Sequence, residues 1–185
     1  MLYWQLYYHI VWATKNREPL LTPDVETVIY GFIRDKALNL DAIVYAVNGY
    51  LDHVHLIVCV PPKIALAKFI GQVKAVASVR FNQSGLSSIP FYWQEEYGVF
   101  SFDRKRLPNF VKYVEWQKEH HASAALIPVL ERLETVQSHV VTDNTDLYFI
   151  LDKDWQREML ELTPIDQFSP EDNSLSINAK LDRTD

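Results

Sequence analysis

His53 and His55 flank a single apolar residue in the stretch Asp52-His53-Val54-His55-Leu56-Ile57-Val58. In an extended strand, residues i and i+2 share one side. The two imidazoles then stand on one face, their Cα atoms roughly 6.6 Å apart at the strand rise of about 3.3 Å per residue, close enough to converge on one metal ion. Val54, Leu56, Val58 and Val60 point the other way, into a core. Taken alone, such a pair is a weak signal, more often two surface rings bonded to their neighbours than a metal site. A second pair lies in Tyr113-Val114-Glu115-Trp116-Gln117. On a helix, Tyr113 and Gln117 at i and i+4 share a face about 6 Å apart along the axis. A tyrosine hydroxyl is a nucleophile, and a glutamine side-chain oxygen is a hard, neutral metal ligand. The ordinary alternative is a half-buried aromatic beside a solvated amide.

The elements that must position these pairs follow from periodicity. Residues 3–14 are aromatic and β-branched and read as a strand. Thr22-Pro23 reads as N-cap and first helical residue, and Val25, Val28, Ile29, Phe32 and Ile33 continue at helical spacing, which predicts a helix over 23–38. Residues 42–48 and 53–60 read as strands joined by a tight connection at 49–52, the second ended by Pro61-Pro62. Ala67, Ile70, Val73, Val76 and Ala77 predict a helix over 64–81. Residues 91–102 read as a fourth strand or an irregular extended segment. Asp103 caps a third helix running to about His121, with Pro108 in its early turns. The order β-α-β-β-α-β followed by a helix is the ferredoxin-like, α+β pattern: an antiparallel sheet with helices on one face plus a C-terminal, tyrosine-bearing helix. It predicts His53 and His55 on a central strand, facing a side of the sheet left open. Beyond Ala122, residues 127–136 and 155–162 suit short helices, and from Thr163 the chain is polar and acidic enough for disorder.

Composition narrows the class. The 185 residues are 48% hydrophobic and 13% aromatic, which favours a packed domain over a disordered chain. Cys59 is the single cysteine, so no intrachain disulfide forms, in keeping with a reducing compartment. The N-terminus lacks a basic leader and small-residue cleavage site, and no apolar run approaches the roughly 20 residues of a membrane helix. The net charge of −6 is unevenly distributed: residues 1–121 carry +2 and residues 122–185 carry −8. Two regions with different jobs are expected, a domain over 1–121 and an acidic extension over 122–185.

Five stretches in order, YYHIVWATKNREPLL, DHVHLIVCVPP, FIGQVKAVAS, FYWQEEYGVFS and YVEWQKEHH, give a family resemblance. Over roughly residues 3–121 the chain resembles the single-tyrosine transposases of the HUH superfamily, the enzymes of single-strand insertion sequences and repetitive-palindrome elements. The resemblance implies that His53, His55 and Gln117 bind one divalent cation, Mg²⁺ in the cell with Mn²⁺ able to substitute, and that Tyr113 is the nucleophile. It implies cleavage and rejoining of single-stranded DNA at hairpin-marked ends through a 5′-phosphotyrosine, in a homodimer whose active sites are in many members shared between subunits, with residues 98–108 as the hinge. The setting implied is cytoplasmic and prokaryotic, at the nucleoid. Alternatives are a domesticated hairpin nickase and ligase without mobilisation, and a non-catalytic nucleic-acid-binding module; the latter predicts no metal and no reactive tyrosine.

Lys15, Arg17, Lys74 and Arg80 are candidate phosphate contacts, each also readable as an ordinary surface charge. Tyr7, Trp12, Tyr92, Trp93 and Tyr97 are candidate stacking platforms, most of them better suited to the core. His9, His120 and His121 are left outside the metal site. The acidic extension carries no family motif, and like-charge repulsion predicts that it weakens non-specific DNA binding.

Overall fold

A computed structural model describes residues 4–133. Four strands, β1 (Tyr7–Ala13), β2 (Ile43–Tyr50), β3 (His53–Cys59) and β4 (Gly98–Phe102), form one sheet in the order β2-β3-β1-β4. All neighbouring pairs are antiparallel. Helices α1 (Pro23–Leu38) and α2 (Leu66–Gln83) complete the expected β-α-β-β-α-β order.

Alternation along the central strands divides the sheet into two faces. Ile10 and Trp12 of β1 and Val54, Leu56 and Val58 of β3 pack against Ile29 and Ile33 of α1 and Phe69, Ile70 and Val73 of α2, all nearly or wholly buried. Burying each large apolar side chain contributes roughly 1.5–3 kcal/mol, so this layer fixes the register of the sheet. A slip of one residue on β3 would bring His53 and His55 into it.

Several expected elements differ in detail. Thr22 stands at the N-cap of α1 with Pro23 next, but its side chain makes no capping bond. The β2–β3 connection is tighter than 49–52, because Tyr50 already pairs with His53 across Leu51-Asp52. Gly49 is required in that hairpin: a Cβ there would lie 2.1 Å from the His53 carbonyl oxygen. Only Gly98–Phe102 of the expected 91–102 strand joins the ladder. Before it, Trp93 makes an isolated bridge to Thr14, and the Lys74 ammonium donates to the carbonyls of Gln94, Glu95 and Glu96 at 2.7, 3.0 and 3.3 Å, which holds that stretch as a loop. The first part of the hinge segment expected over 98–108, Gly98–Phe102, forms strand β4.

The third helix is not continuous. Asp103 caps a single 3-10 turn, accepting from the Lys105 and Arg106 amides. Helix α3 (Leu107–Glu115) follows, with Pro108 harmlessly in its first turn. Trp116, at φ −100° and ψ 22°, breaks the chain before α4 (Gln117–Ala122). At the break the Asn48 side chain takes over the Glu115 carbonyl, at 2.9 Å.

The second face of the sheet is covered, not open. Ala46 and Ile57 meet Phe110, Tyr113 and Val114 of α3 and Val129 and Leu130 from a 3-10 turn, Pro128–Glu131. That face carries too much apolar surface to be left in water. Leu133 adds to it against Val11 and Ala13. Of the helices expected after Ala122, the described part of 127–136 is this single turn. The helix at 155–162 and the polar stretch from Thr163 lie outside the described residues. No described helix is long and apolar enough to cross a membrane.

Candidate functional site

Strand β3 supplies His53 and His55 to the covered face, as the period of two requires, and both are buried. Their rings lie 5.0 Å apart between centroids. Each ring is held at Nδ1. Asp52 meets His53 Nδ1 at 2.6 Å through Oδ1, while its Oδ2 accepts from Arg17 at 3.0 Å. His9, on the neighbouring β1, meets His55 Nδ1 through its Nε2 at 2.8 Å, the two rings lying edge to edge and nearly coplanar with centroids 5.0 Å apart. Both Nε2 atoms therefore face inward, the arrangement by which a second shell orients metal-binding histidines.

The point on which they converge is a carboxylate. Glu131 Oε2 lies 3.1 Å from His55 Nε2 and 3.3 Å from His53 Nε2. Its Oε1 accepts the Tyr113 hydroxyl at 2.5 Å. The three residues offer ligand atoms all within 4.8 Å of one another. Tyr113 and Gln117 are both buried on this face, and Gln117 Nε2 lies 3.5 Å from the Tyr113 carbonyl oxygen, so the helix break preserves their i, i+4 proximity. Gln117 Oε1 is buried with no hydrogen-bond partner among the described residues, a costly state for an amide oxygen. Two inward imidazole nitrogens and a carboxylate oxygen are donors that fit a divalent cation.

Burial and the Glu131 carboxylate set the electrostatics of these groups. Burial lowers the pKa of His55 against the pull of Glu131, which keeps the ring neutral and able to ligate. His9 is pushed well down by burial and by His55. At His53, burial is outweighed by hydrogen bonds to Asp52 and Glu131, and the pKa rises. Glu131 is likewise opposed by burial, yet the hydrogen bonds from His53 and His55 hold its carboxyl far below the usual range. Burial and the charge of Glu131 push the Tyr113 phenol well up. Without a cation the chain thus holds its tyrosine neutral. His121 reaches His53, Nε2 to Nε2 at 3.3 Å, and stacks on Tyr50; His120 stacks on Tyr113.

A cleft of about 460 Å³ opens on this site, lined by Arg17, Tyr50, Asp52, His53, His121 and Glu131 among others. Of the four candidate phosphate contacts, Arg17 is at its edge. Lys15 lies over the Tyr92 ring in a neighbouring cleft of about 410 Å³ with Trp93 and Gln94. Lys74 and Arg80 are on α2, in the helical layer behind the sheet. Lys74 is buried, its pKa lowered by burial to about 8, and spends its three donors on backbone carbonyls. Arg80 pairs with Asp35 at 3.3 Å and lies over Phe32. Neither is brought to the site. Tyr7 and Trp12 are buried and Trp93 is packed on the core, which leaves Tyr92 and Tyr97 as the exposed stacking candidates.

Sequence reasoning missed Asp52 and Glu131, and it weighed His9 only as a metal ligand, whereas His9 lies behind His55 as its hydrogen-bond partner. Asp52 directly precedes the first histidine, and His9 alternates onto the same face of the adjacent strand, so both had a readable cue. Glu131 lies in a segment without periodicity and had none.

Residues 2–117 match the family model for IS200-like transposases. The chain is 30% identical over 121 residues to the ISDra2 transposase TnpA of Deinococcus radiodurans, covering 63% of this chain and 86% of the relative. It is 25% identical over 117 residues to the transposase for insertion sequence element IS200 of Salmonella typhimurium, covering 60% and 77%. The fold is similar to a crystal structure of a transposase from Deinococcus radiodurans, with a TM-score of 0.51 at 23% identity, covering 63% of this chain and 93% of that one.

Proposed function

The chain belongs to the family of IS200-like transposases, and on that footing we propose that it cleaves and rejoins single-stranded DNA at hairpin-marked ends, with Tyr113 as nucleophile and His53, His55 and Gln117 as cation ligands. The observation that carries this reading is the meeting of Tyr113 with the inward Nε2 atoms of both histidines through one carboxylate. Chemistry and position agree within a single chain.

When bound, a divalent cation polarises the scissile phosphate and offsets the charge that builds up during displacement. We assign this role to Mg²⁺, with Mn²⁺ as a substitute, since imidazole ligands suit Mn²⁺ at least as well. Tyr113 Oη forms the new bond to phosphorus as the bond to the 3′-oxygen breaks. The phenolic proton is lost and the leaving oxygen gains one, giving a 5′-phosphotyrosine and a free 3′-hydroxyl. The covalent link conserves the phosphodiester, so a second 3′-hydroxyl can reverse the reaction without a nucleotide cofactor. We assign Arg17, held by Asp52 at the cleft edge, to a backbone phosphate, and Lys15 with Tyr92 to the continuation of that track. We expect a homodimer acting on DNA in the cytoplasm, its active sites formed either within each chain or by exchange of the tyrosine helix between subunits.

The test is incubation of the full chain with labelled single-stranded hairpin DNA and Mg²⁺, followed by denaturing electrophoresis. A protein–DNA adduct is expected that disappears with EDTA and in Tyr113→Phe. An adduct that persists in Tyr113→Phe removes the tyrosine from this role.

A further inference from the structure

We propose that Glu131 is a protein ligand of the cation, contributed by the segment that follows the family domain, so that this metal site is complete only when residues 127–133 are docked. The inference rests on the reading of His53 and His55 as cation ligands. It goes beyond the family match, which ends at residue 117.

The segment is seated by packing rather than resting at the surface. Leu130 is fully buried and Val129 nearly so on either side of the α3 contacts, and Leu133 is buried against Val11 and Ala13. The Ile127 amide donates to the Tyr113 hydroxyl oxygen at 3.2 Å. At the far end, the Arg132 carbonyl oxygen lies so close to Gly98 that a Cβ there would sit 2.2 Å from it. Strand β4 accepts the segment because residue 98 has no side chain. Between these anchors, Glu131 has its carboxylate delivered to the histidines.

The distances fit ligation. Ligands at about 2.0–2.2 Å on adjacent corners of an octahedral cation lie roughly 3 Å apart. Glu131 Oε2 is 3.1 and 3.3 Å from the two imidazole nitrogens. Both rings are already fixed at Nδ1 by Asp52 and His9. The second carboxylate oxygen is occupied by the Tyr113 hydroxyl, as outer contacts orient ligating carboxylates elsewhere. One residue would then tie the cation to the nucleophile. A carboxylate also lowers the net charge of the bound centre and adds a hard oxygen, which suits Mg²⁺ and Mn²⁺.

The other role open to this carboxylate is to occupy the place of the scissile phosphate and block it, and the two separate on metal affinity. Calorimetric titration of the full chain with Mn²⁺ is expected to show affinity at least about 10-fold weaker in Glu131→Gln, since loss of an outer-shell partner alone costs a metal site about that much. Glu131→Asp, which keeps the charge but shortens the reach, should fall between. Gly98→Ala, which alters no ligand but pushes back Arg132, should weaken Mn²⁺ binding as well. Circular dichroism on each variant confirms the fold. Unchanged or tighter Mn²⁺ binding in Glu131→Gln, with faster DNA cleavage, would overturn the proposal and assign the blocking role. His53→Ala separates the levels: if it loses Mn²⁺ affinity while Glu131→Gln does not, only the carboxylate is misassigned. If His53→Ala also binds Mn²⁺ normally, the histidine site itself is wrong.

Discussion

The two faces of the sheet are built by opposite rules. Behind it, β1 and β3 present Ile10, Trp12, Val54, Leu56 and Val58 to α1 and α2, and the centre of that layer is a continuous cluster of large apolar side chains. In front, the same strands present His9, His53 and His55 to a cover of Phe110, Tyr113, Gln117, Leu130 and Glu131. Both faces bury apolar surface. The front also buries imidazole, carboxylate and amide groups, each of which costs stability unless it is bonded, and it leaves His9 Nδ1 and Gln117 Oε1 without protein partners among the described residues, as the rear leaves the Trp12 indole nitrogen. A fold retains such groups where chemistry needs them, and the stability that permits them comes from the layer behind.

That division can be broken by substitution. The largest effect is expected at His55→Ala: metal-dependent cleavage should fall by at least about 100-fold, since the cation's electrostatic contribution is lost, while the thermal melt moves far less than for a core truncation. Leu56→Ala, one residue along, should do the reverse. It should cost about 2–5 kcal/mol in chemical denaturation and leave cleavage per folded molecule near normal. If the two variants gave the same pattern, the faces would not be functionally distinct. Asp52→Asn keeps the shape but weakens the hold on His53 and frees Arg17; Mn²⁺ affinity or activity is expected to drop about 10–100-fold, read by titration. Lys74→Met should cost about 1–3 kcal/mol by leaving three loop carbonyls unmet while the salt dependence of DNA binding stays unchanged. Arg17→Ala should be the mildest, weakening binding across all sequences and reducing the slope of log K against log salt by about 1. A sequence-selective loss there would point to base reading instead.

Much of the rear layer was legible because it follows simple periods. The helix predicted over 23–38 coincides with α1, and the alternation 54-56-58 named the core side of β3. The histidine pair was legible for the same reason. Lys74 on the rear side was not: it looks like a surface lysine until the loop it holds is seen. The front cover was not legible either, since at the break at Trp116 Asn48, distant in sequence, takes the Glu115 carbonyl. The open face expected from element order is closed by α3, α4 and residues 128–133, because Ile57 and Ala46 alternate onto it alongside the histidines. Glu131 reaches the site by tertiary packing alone, which no local pattern encodes.

Tyr113 as the attacking group is tested most directly by locating the covalent bond. Full-length protein reacted with 5′-side and 3′-side labelled hairpin DNA in Mg²⁺, digested with nuclease and trypsin, should yield nucleotide attached to the fragment 113–118, through a 5′-phosphate on Tyr113. Nucleotide recovered on any other residue, or cleaved DNA with none attached to protein, would contradict it.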